Sequence, residues 1–328
     1  MVYHKIKKIK GRPYNYLIES FKFRGKVHQI QKYLGPKRMK KAEIEEAKVK
    51  HRNWFRSEII KKKASLSASG YKSTILSSKQ LNQLETIRYA FREFKKGLHP
   101  NEIERLERDF DIGYVYSTTS TEGNTCTLSE VTRILENHLT PKGRSLREIY
   151  EIRNFEEILR YRKESKGDIS KKFILKLHEL VMRDIDLYTL GTFRRIEVAI
   201  LGSETTPVPA IFAEEEIDKL LKWYHKSKGK IHPVEQATEF HARFEAIHPF
   251  TDGNGRVGRE IFNFMITRSG FPVLNFNVKL RDEYLDGLEM AQKGDFGLIM
   301  RYILENYIQQ MQTRLKNTPL KDLFDVTD

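Results

Sequence analysis

The 328-residue sequence predicts a mostly α protein: a helical bundle with one β-hairpin, preceded by a small basic β-rich N-terminal unit and a helix. Three observations predict it. Beyond residue 75, apolar residues recur at helical spacing in one segment after another. Strand-like alternation is confined to the first 36 residues and to 194–211. The basic excess is local, because residues 1–41 hold thirteen Lys or Arg against the single acid Glu19, and the rest of the chain carries only +3 of the net +15.

Composition excludes several classes. A hydrophobic share of 39%, with 15 Tyr and 19 Phe, supplies a sizeable core and rules out wholesale disorder. No stretch approaches the roughly 20 apolar residues that span a bilayer, so no membrane role is expected. The N-terminus lacks the apolar segment of a secretory signal. Cys126 stands alone, which excludes an intramolecular disulfide or a multi-cysteine zinc site and suits a reducing, cytoplasmic setting.

Residues 1–36 read as the small β unit. Tyr14, Tyr16 and Ile18 alternate, Arg24-Gly25-Lys26 makes a turn, Val27–Leu34 returns as a second strand, and Gly35-Pro36 closes it. Lysines alternating with aromatic rings could bind nucleic acid weakly through residues 1–41, and residues 3–36 loosely resemble the basic leader ahead of some transposase domains. Residues 37–75 are expected as a helix to about Lys63, then a linker at Ser65–Gly70. The main domain would run over 76–314, with helices at 78–97, 100–118, 127–138, 145–164, 168–184, 213–228, 232–247, 254–269, 281–293 and 295–314, leaving 315–328 as a tail. Helix starts are expected at Thr127 or Ser129, at Asp168, and at Pro233. Within 194–211, Ile196, Val198 and Ile200 alternate, Gly202-Ser203 turns, and Pro207 and Pro209 limit the return strand to an edge. Trp54 and Trp223 are expected in the core.

The chemistry concentrates in His248-Pro249-Phe250-Thr251-Asp252-Gly253-Asn254-Gly255-Arg256-Val257-Gly258-Arg259. The segment follows one helix and opens another, so unpaired backbone N–H groups and a positive dipole make it an anion site. Gly253 and Gly255 let amides converge on a phosphate, and Arg256 and Arg259 lie one helical step apart to grip the same cluster. Asp252 is a hard oxygen ligand beside those phosphates, which suits Mg²⁺. His248 is the nearby group that titrates near neutrality and so is the general-base candidate. His241, seven residues earlier, is expected to pack or orient the motif.

This segment resembles the Fic family motif, His-x-Phe-x-Asp/Glu-Gly-Asn-Gly-Arg-x-x-Arg, at all eight fixed positions. The resemblance implies a Fic-type helical bundle that transfers AMP from ATP to a Ser, Thr or Tyr hydroxyl of a target protein. It gives His248 the acceptor's proton and Asp252 the Mg²⁺. Gly253, Asn254, Gly255 and Arg256 would cradle the α- and β-phosphates, and Arg259 would meet the γ-phosphate. Phe250 would anchor the loop. The hairpin at 194–211, entered through Gly191-Thr192-Phe193-Arg194, resembles the family's flap, with Leu201, Gly202, Ser203 and Glu204 approaching ATP. Ala291–Asp295 resembles the segment near adenine, with Gln292 where Asn is usual.

Thr118-Thr119-Ser120-Thr121-Glu122-Gly123 resembles the Fic-associated inhibitory motif Ser/Thr-x-x-x-Glu-Gly/Asn. That likeness implies an inhibitory helix over about 100–122, with Thr118 opening the motif, Gly123 closing it, and Glu122 occupying Arg259 in place of the γ-phosphate. Thr121 stands where an aliphatic residue is common. Alternative functions are removal of AMP by the same site, with Glu122 positioning water, and a nucleic-acid-associated regulator working through the basic N-terminal unit. Expected partners are a target protein of unknown identity and a second copy in a homodimer.

Overall fold

The computed structural model describes residues 2–199 and 206–324. The chain divides into two compact units, one built from residues up to Gly70, Asn82–Lys96 and residues from Met311 on, the other from Tyr71–Leu81 and Gly97–Gln310. No described helix is long and apolar enough to cross a membrane.

The first unit opens with an antiparallel sheet, β1 (Tyr3–Ile9), β2 (Arg12–Phe23) and β3 (Lys26–Gly35), in that order. Ile9 pairs with Arg12 and Phe23 with Lys26, so both connections are two-residue turns. Lys10-Gly11 and Arg24-Gly25 both have positive φ, the conformation that matches the twist of the strands they join. β1 goes beyond the two strands read from sequence. Its lysine-rich pattern conceals an edge strand, where charge discourages further pairing. Two helices follow, α1 (Lys41–Lys50) and α2 (Arg52–Ala68), broken at His51. The expected linker at Ser65–Gly70 is a correction: α2 continues to Ala68, with Ala64, Ser67 and Ala68 buried, so the small side chains are packing residues. Trp54 is half-buried under Lys32, whose Nζ lies 4.5 Å from the ring centroid, rather than fully in the core. The expected tail also differs, because residues from Met311 join this unit and Leu315, Leu320 and Phe324 are buried.

Helix α3 (Ser78–Lys95) contributes its Asn82–Lys95 part to that unit. The second unit is helical: α4 (Pro100–Thr121), α5 (Leu128–Asn137), α6 (Leu146–Glu164), α7 (Lys171–Met182), α8 (Ala213–Ser227), α9 (Pro233–Ile247), α10 (Asn254–Arg268), α11 (Arg281–Gln292) and α12 (Gly297–Leu315, to Gln310). Starts are fixed by local chemistry. Thr127 with Glu130, and Ser145 with Glu148, form reciprocal capping boxes. Pro233 opens α9 as expected, behind His232. The start of α7 differs: Ser170 caps it, while Asp168 accepts from Tyr224 and Lys228 at 2.5 and 2.6 Å.

Helix α10 is the axis of this unit. Every residue from Asn254 to Ile266 is buried, as it packs against α9, α7 and α4. A helix enclosed on all sides must neutralise its polar residues internally. Glu260 on α10 and Asp111 on α4 share Arg162 of α6, and all three are almost fully buried. Burial pushes the Glu260 carboxyl up to about 7 against the pull of Arg162. This triad ties the middle of α4 to the helix that carries the glycine loop.

Replacing Arg162 with Ala strands two buried carboxylates. The expected loss is about 3–5 kcal/mol in urea unfolding, against under about 1 kcal/mol for Lys163→Ala, whose side chain is half exposed. Equal effects of the two changes would remove the triad from its structural role.

Candidate active site

The site forms where α9 ends and α10 begins. His248 caps α9 at φ +50°, ψ +59°, a left-handed conformation that is strained for a histidine. The strain is held by surroundings. Arg194, fully buried at its side chain, donates from Nε to the His248 carbonyl at 2.8 Å and from Nη2 to Val208, and its own N–H donates to Pro249 at 2.9 Å. One guanidinium therefore joins both legs of the 194–211 segment to the histidine. Among the described residues those legs form no strand ladder, and Ile200, Leu201, Gly202, Ser203, Glu204 and Thr205 lie outside the described residues.

Phe250 is fully buried and stacks on His178, with centroids 3.8 Å apart and planes 4° from parallel. His178 accepts from the Gly191 N–H at Nδ1 (3.1 Å), so its Nε2 donates to the Asp252 carbonyl (3.2 Å). Burial lowers its pKa to about 4, which keeps this anchor neutral. Asn254 closes the loop: its side chain donates to the Phe250 carbonyl and accepts from the Phe250 N–H, at 2.8 and 2.9 Å. Its amide side chain is thus spent inside the bend, and its backbone N–H is what remains for a ligand.

No side chain caps the first turn of α10, which starts at Gly253 with φ +81°. Gly255 has a more exacting reason to be glycine. A Cβ there would lie 2.2 Å from Glu122 Oε1 and 2.8 Å from Arg259 Nη1. The carboxylate of Glu122 therefore lies directly against the first turn of α10.

Arg259 is 1% exposed. It donates to Glu122 Oε1 from Nη2 at 2.6 Å, to the Thr118 hydroxyl and carbonyl at 2.8 and 3.0 Å, and to the Tyr284 hydroxyl at 3.3 Å. Glu122 is the C-terminal cap of α4, followed by Gly123 at φ +96°, and its side chain stays 31% exposed. Burial opposes its charge, but Arg259 and Arg256 outweigh that and hold it below the usual carboxylate range. Arg281 donates to the Thr121 carbonyl at 3.0 Å, and Thr121 is buried with its own hydroxyl on Ser117. The threonine-rich end of α4 is thus satisfied and fixed.

Arg256 has a different partner. Its Nη1 meets Glu151 of α6 at 3.1 Å and its Nη2 meets Asp252 at 2.9 Å. Burial of Asp252 is outweighed by Arg256 and Arg147, which keep it ionised below the usual range. With 36% of its side chain exposed, Asp252 offers a single hard carboxylate at the loop. Among the described residues no cluster of three His, Cys, Asp or Glu has metal-holding geometry. That donor set fits a cation which takes one carboxylate and completes its shell with phosphate oxygens and water.

His248 Nδ1 is buried toward Glu245, 3.9 Å from Oε2, which leaves Nε2 to take a proton. Burial lowers the imidazole's pKa, so it is neutral at pH 7 and competent as a base. Glu245 is buried and lies between His248 and His241, 3.8 Å from the His241 Nδ1. His241 Nε2 in turn shares a hydrogen bond of 2.7 Å with the Tyr284 hydroxyl, consistent with an orienting role. Gln292 ends α11, the helix of Tyr284; among the described residues no hydrogen bond joins it to the loop.

Sequence reasoning missed Glu151, Arg147, His178, Tyr284 and Glu245 and gave Arg194 no role. Glu245 and Arg194 adjoin recognised motifs and were open to inspection. The others reach the loop only through tertiary packing.

The helical bundle thus has a central helix that begins in a glycine bend flanked by a neutral imidazole and two buried arginines, an arrangement suited to an anion. Residues 168–266 match the family model described as the Fic/DOC family. The chain is 32% identical over 238 residues to the protein adenylyltransferase fic-1 of Caenorhabditis elegans, covering 69% of this chain and 46% of that protein. It is 32% identical over 208 residues to the protein adenylyltransferase Fic of Drosophila melanogaster, covering 62% and 42%. A solved structure of C. elegans Fic-1 aligns with a TM-score of 0.65 at 31% identity, over 73% of this chain and 72% of that one. A Fic family protein from Desulfovibrio desulfuricans shares the fold, with a TM-score of 0.64 at 24% identity, over 76% and 78%. The chain belongs to the Fic/DOC family. It spans about half the length of the curated relatives it matches.

The Glu245 carboxyl makes a pH prediction. Burial pushes it from 4.5 up to about 8. The folded protein keeps a proton that the unfolded chain sheds above 4.5, so stability falls as pH rises toward 8. Glu245→Gln removes that slope, and its Tm relative to wild type should climb between pH 5 and pH 9. A difference that stays flat with pH would show the carboxyl ionised throughout.

Proposed function

We propose that this chain is a protein adenylyltransferase that moves AMP from ATP to a Ser, Thr or Tyr hydroxyl of a target protein, depends on Mg²⁺, and is held inactive by Glu122. The observation that carries the reading is the carboxylate of Glu122 on Arg259, lodged against Gly255, where a nucleotide phosphate has its best seat. The family membership and the relatives named adenylyltransferases support it.

In the reaction, His248 takes the acceptor hydroxyl's proton at Nε2 as the oxygen bonds to the α-phosphorus. The bond to the bridging oxygen breaks and pyrophosphate leaves. Amides of the first turn of α10 and the Arg256 guanidinium hold the phosphates, and Asp252 would hold Mg²⁺, whose charge screens the phosphate oxygens from one another. Arg259 fixes the γ-phosphate once Glu122 leaves it, and so sets the line of attack. The exposed Ile196, Ile211 and Phe212 beside the legs of the 194–211 segment form an apolar margin for a target chain. A reducing compartment such as the cytoplasm suits the buried thiol of Cys126.

Glu122→Gly should raise ATP-dependent auto-AMPylation about ten- to a hundredfold, the worth of one charged hydrogen-bonded contact. Mass spectrometry after incubation with ATP, CTP, GTP or UTP and Mg²⁺ reads both rate and nucleotide. Unchanged labelling would remove the brake, and AMP release from a modified target that disappears with Glu122→Gly would favour hydrolysis instead. His248→Ala in the Glu122→Gly background should lose at least about a hundredfold in transfer while keeping the ATP-induced rise in Tm. Labelling that survives His248→Ala rejects the base assignment.

A further inference from the structure

The first unit carries a cleft of about 560 Å³ that plays no part in the chemistry above. Its walls are the last third of β2, the face of α2 from Arg52 to Lys63, and the α3 residues Tyr89–Lys96. Seven lysines and arginines line it against two carboxylates, Glu19 and Glu93. Glu93 is shared between Arg56 and Lys96, at 3.2 and 3.0 Å. Lys63 stands half-buried in the wall. Burial lowers its pKa first and the charge of Lys96 lowers it further, against the pull of Glu93.

Rings are set among these cations. Phe21 stacks on His28, with Lys63 5.5 Å from its centroid. Phe23 meets Tyr89 edge-on and lies under Arg24. The cations come from three elements, the end of β2 with its turn, α2 and α3. A line of phosphates with planar groups between them satisfies both features.

We infer that this cleft is the seat of a single nucleic-acid strand, with Arg24, Arg52, Arg92 and Lys96 on backbone phosphates and Phe21, Phe23 and Tyr89 against bases. The inference stands apart from AMP transfer. It also shifts the nucleic-acid contact away from the first 41 residues as a whole, to β2 together with two helices that follow them.

The test is fluorescence anisotropy of a labelled 15-nucleotide oligothymidylate with the full chain. For four phosphate contacts, affinity should fall about fifty-fold between 50 and 200 mM KCl. Arg52→Ala/Arg92→Ala, both exposed positions, should weaken binding about tenfold and flatten the salt slope by about 1.4. Lys5→Ala/Lys8→Ala, which removes the same charge from β1, should stay within about twofold of wild type, because neither residue lines the cleft. Equal binding by the Arg52/Arg92 variant and wild type overturns the seat. Displacement of the strand by poly-glutamate as readily as by unlabelled oligonucleotide overturns the choice of ligand in favour of an acidic peptide. Displacement by tripolyphosphate at matched phosphate concentration overturns the strand in favour of a small anion. Auto-AMPylation of the Arg52/Arg92 variant, measured in parallel, reads the two activities separately.

Discussion

A guanidinium with 1% exposure cannot be left without an anion, and Arg259 is such a group at the start of the most enclosed helix of its unit. The rest of the site follows from how that requirement is met. Arg256, one turn earlier, has Glu151 of α6 as a buried partner. Arg259 has Glu122, which caps a different helix and keeps a third of its side chain in solvent. The two arginines look alike in the motif, yet one is paired with a buried carboxylate and the other with a partly exposed one. On the reading proposed above, a substrate phosphate would take the place of the Glu122 carboxylate, so that the arginine would keep an anionic partner.

Such an exchange would need little movement. The backbone of α4 is tied to α10 through Asp111, Arg162 and Glu260, and its last carbonyls are held by Arg259 and Arg281. On the proposed reading, a rotation of the Glu122 side chain past Gly255 would open the seat. The cost of withdrawing a partly exposed carboxylate is modest, because water can take over part of its hydrogen bonding. A fully buried acid in the same place would have locked the arginine.

The sequence made legible what lies within one helical turn: the loop from His248 to Arg259, the helices with their caps at Thr127 and Pro233, and, through family likeness, Glu122. It concealed what depends on packing. Glu151 is one of several acids on α6 and gains meaning only beside Arg256, 105 residues away. His178 looks like a lone core histidine until its ring is seen flat on Phe250. The serines and alanines ending α2 were misleading for a related reason, since small residues mark both linkers and tight helix contacts. Strand β1 escaped because an edge strand rich in lysine does not show the apolar alternation by which strands are recognised.

The placing of Glu245 completes the account of the base. A charged carboxylate 3.9 Å from His248 Nδ1 would favour the imidazolium and leave no acceptor for a hydroxyl proton. Burial prevents this by keeping the acid protonated up to about 8, so that at neutrality the pair carries no charge. The same burial that lowers the imidazole's pKa thus also silences the neighbour that would raise it. Glu122 adds to this effect, because its negative charge raises the Glu245 pKa further. Glu122 is thus coupled electrostatically both to Arg259 and to the Glu245–His248 pair, so that on the proposed reading its withdrawal would alter the arginine's partner and the setting of the imidazole together.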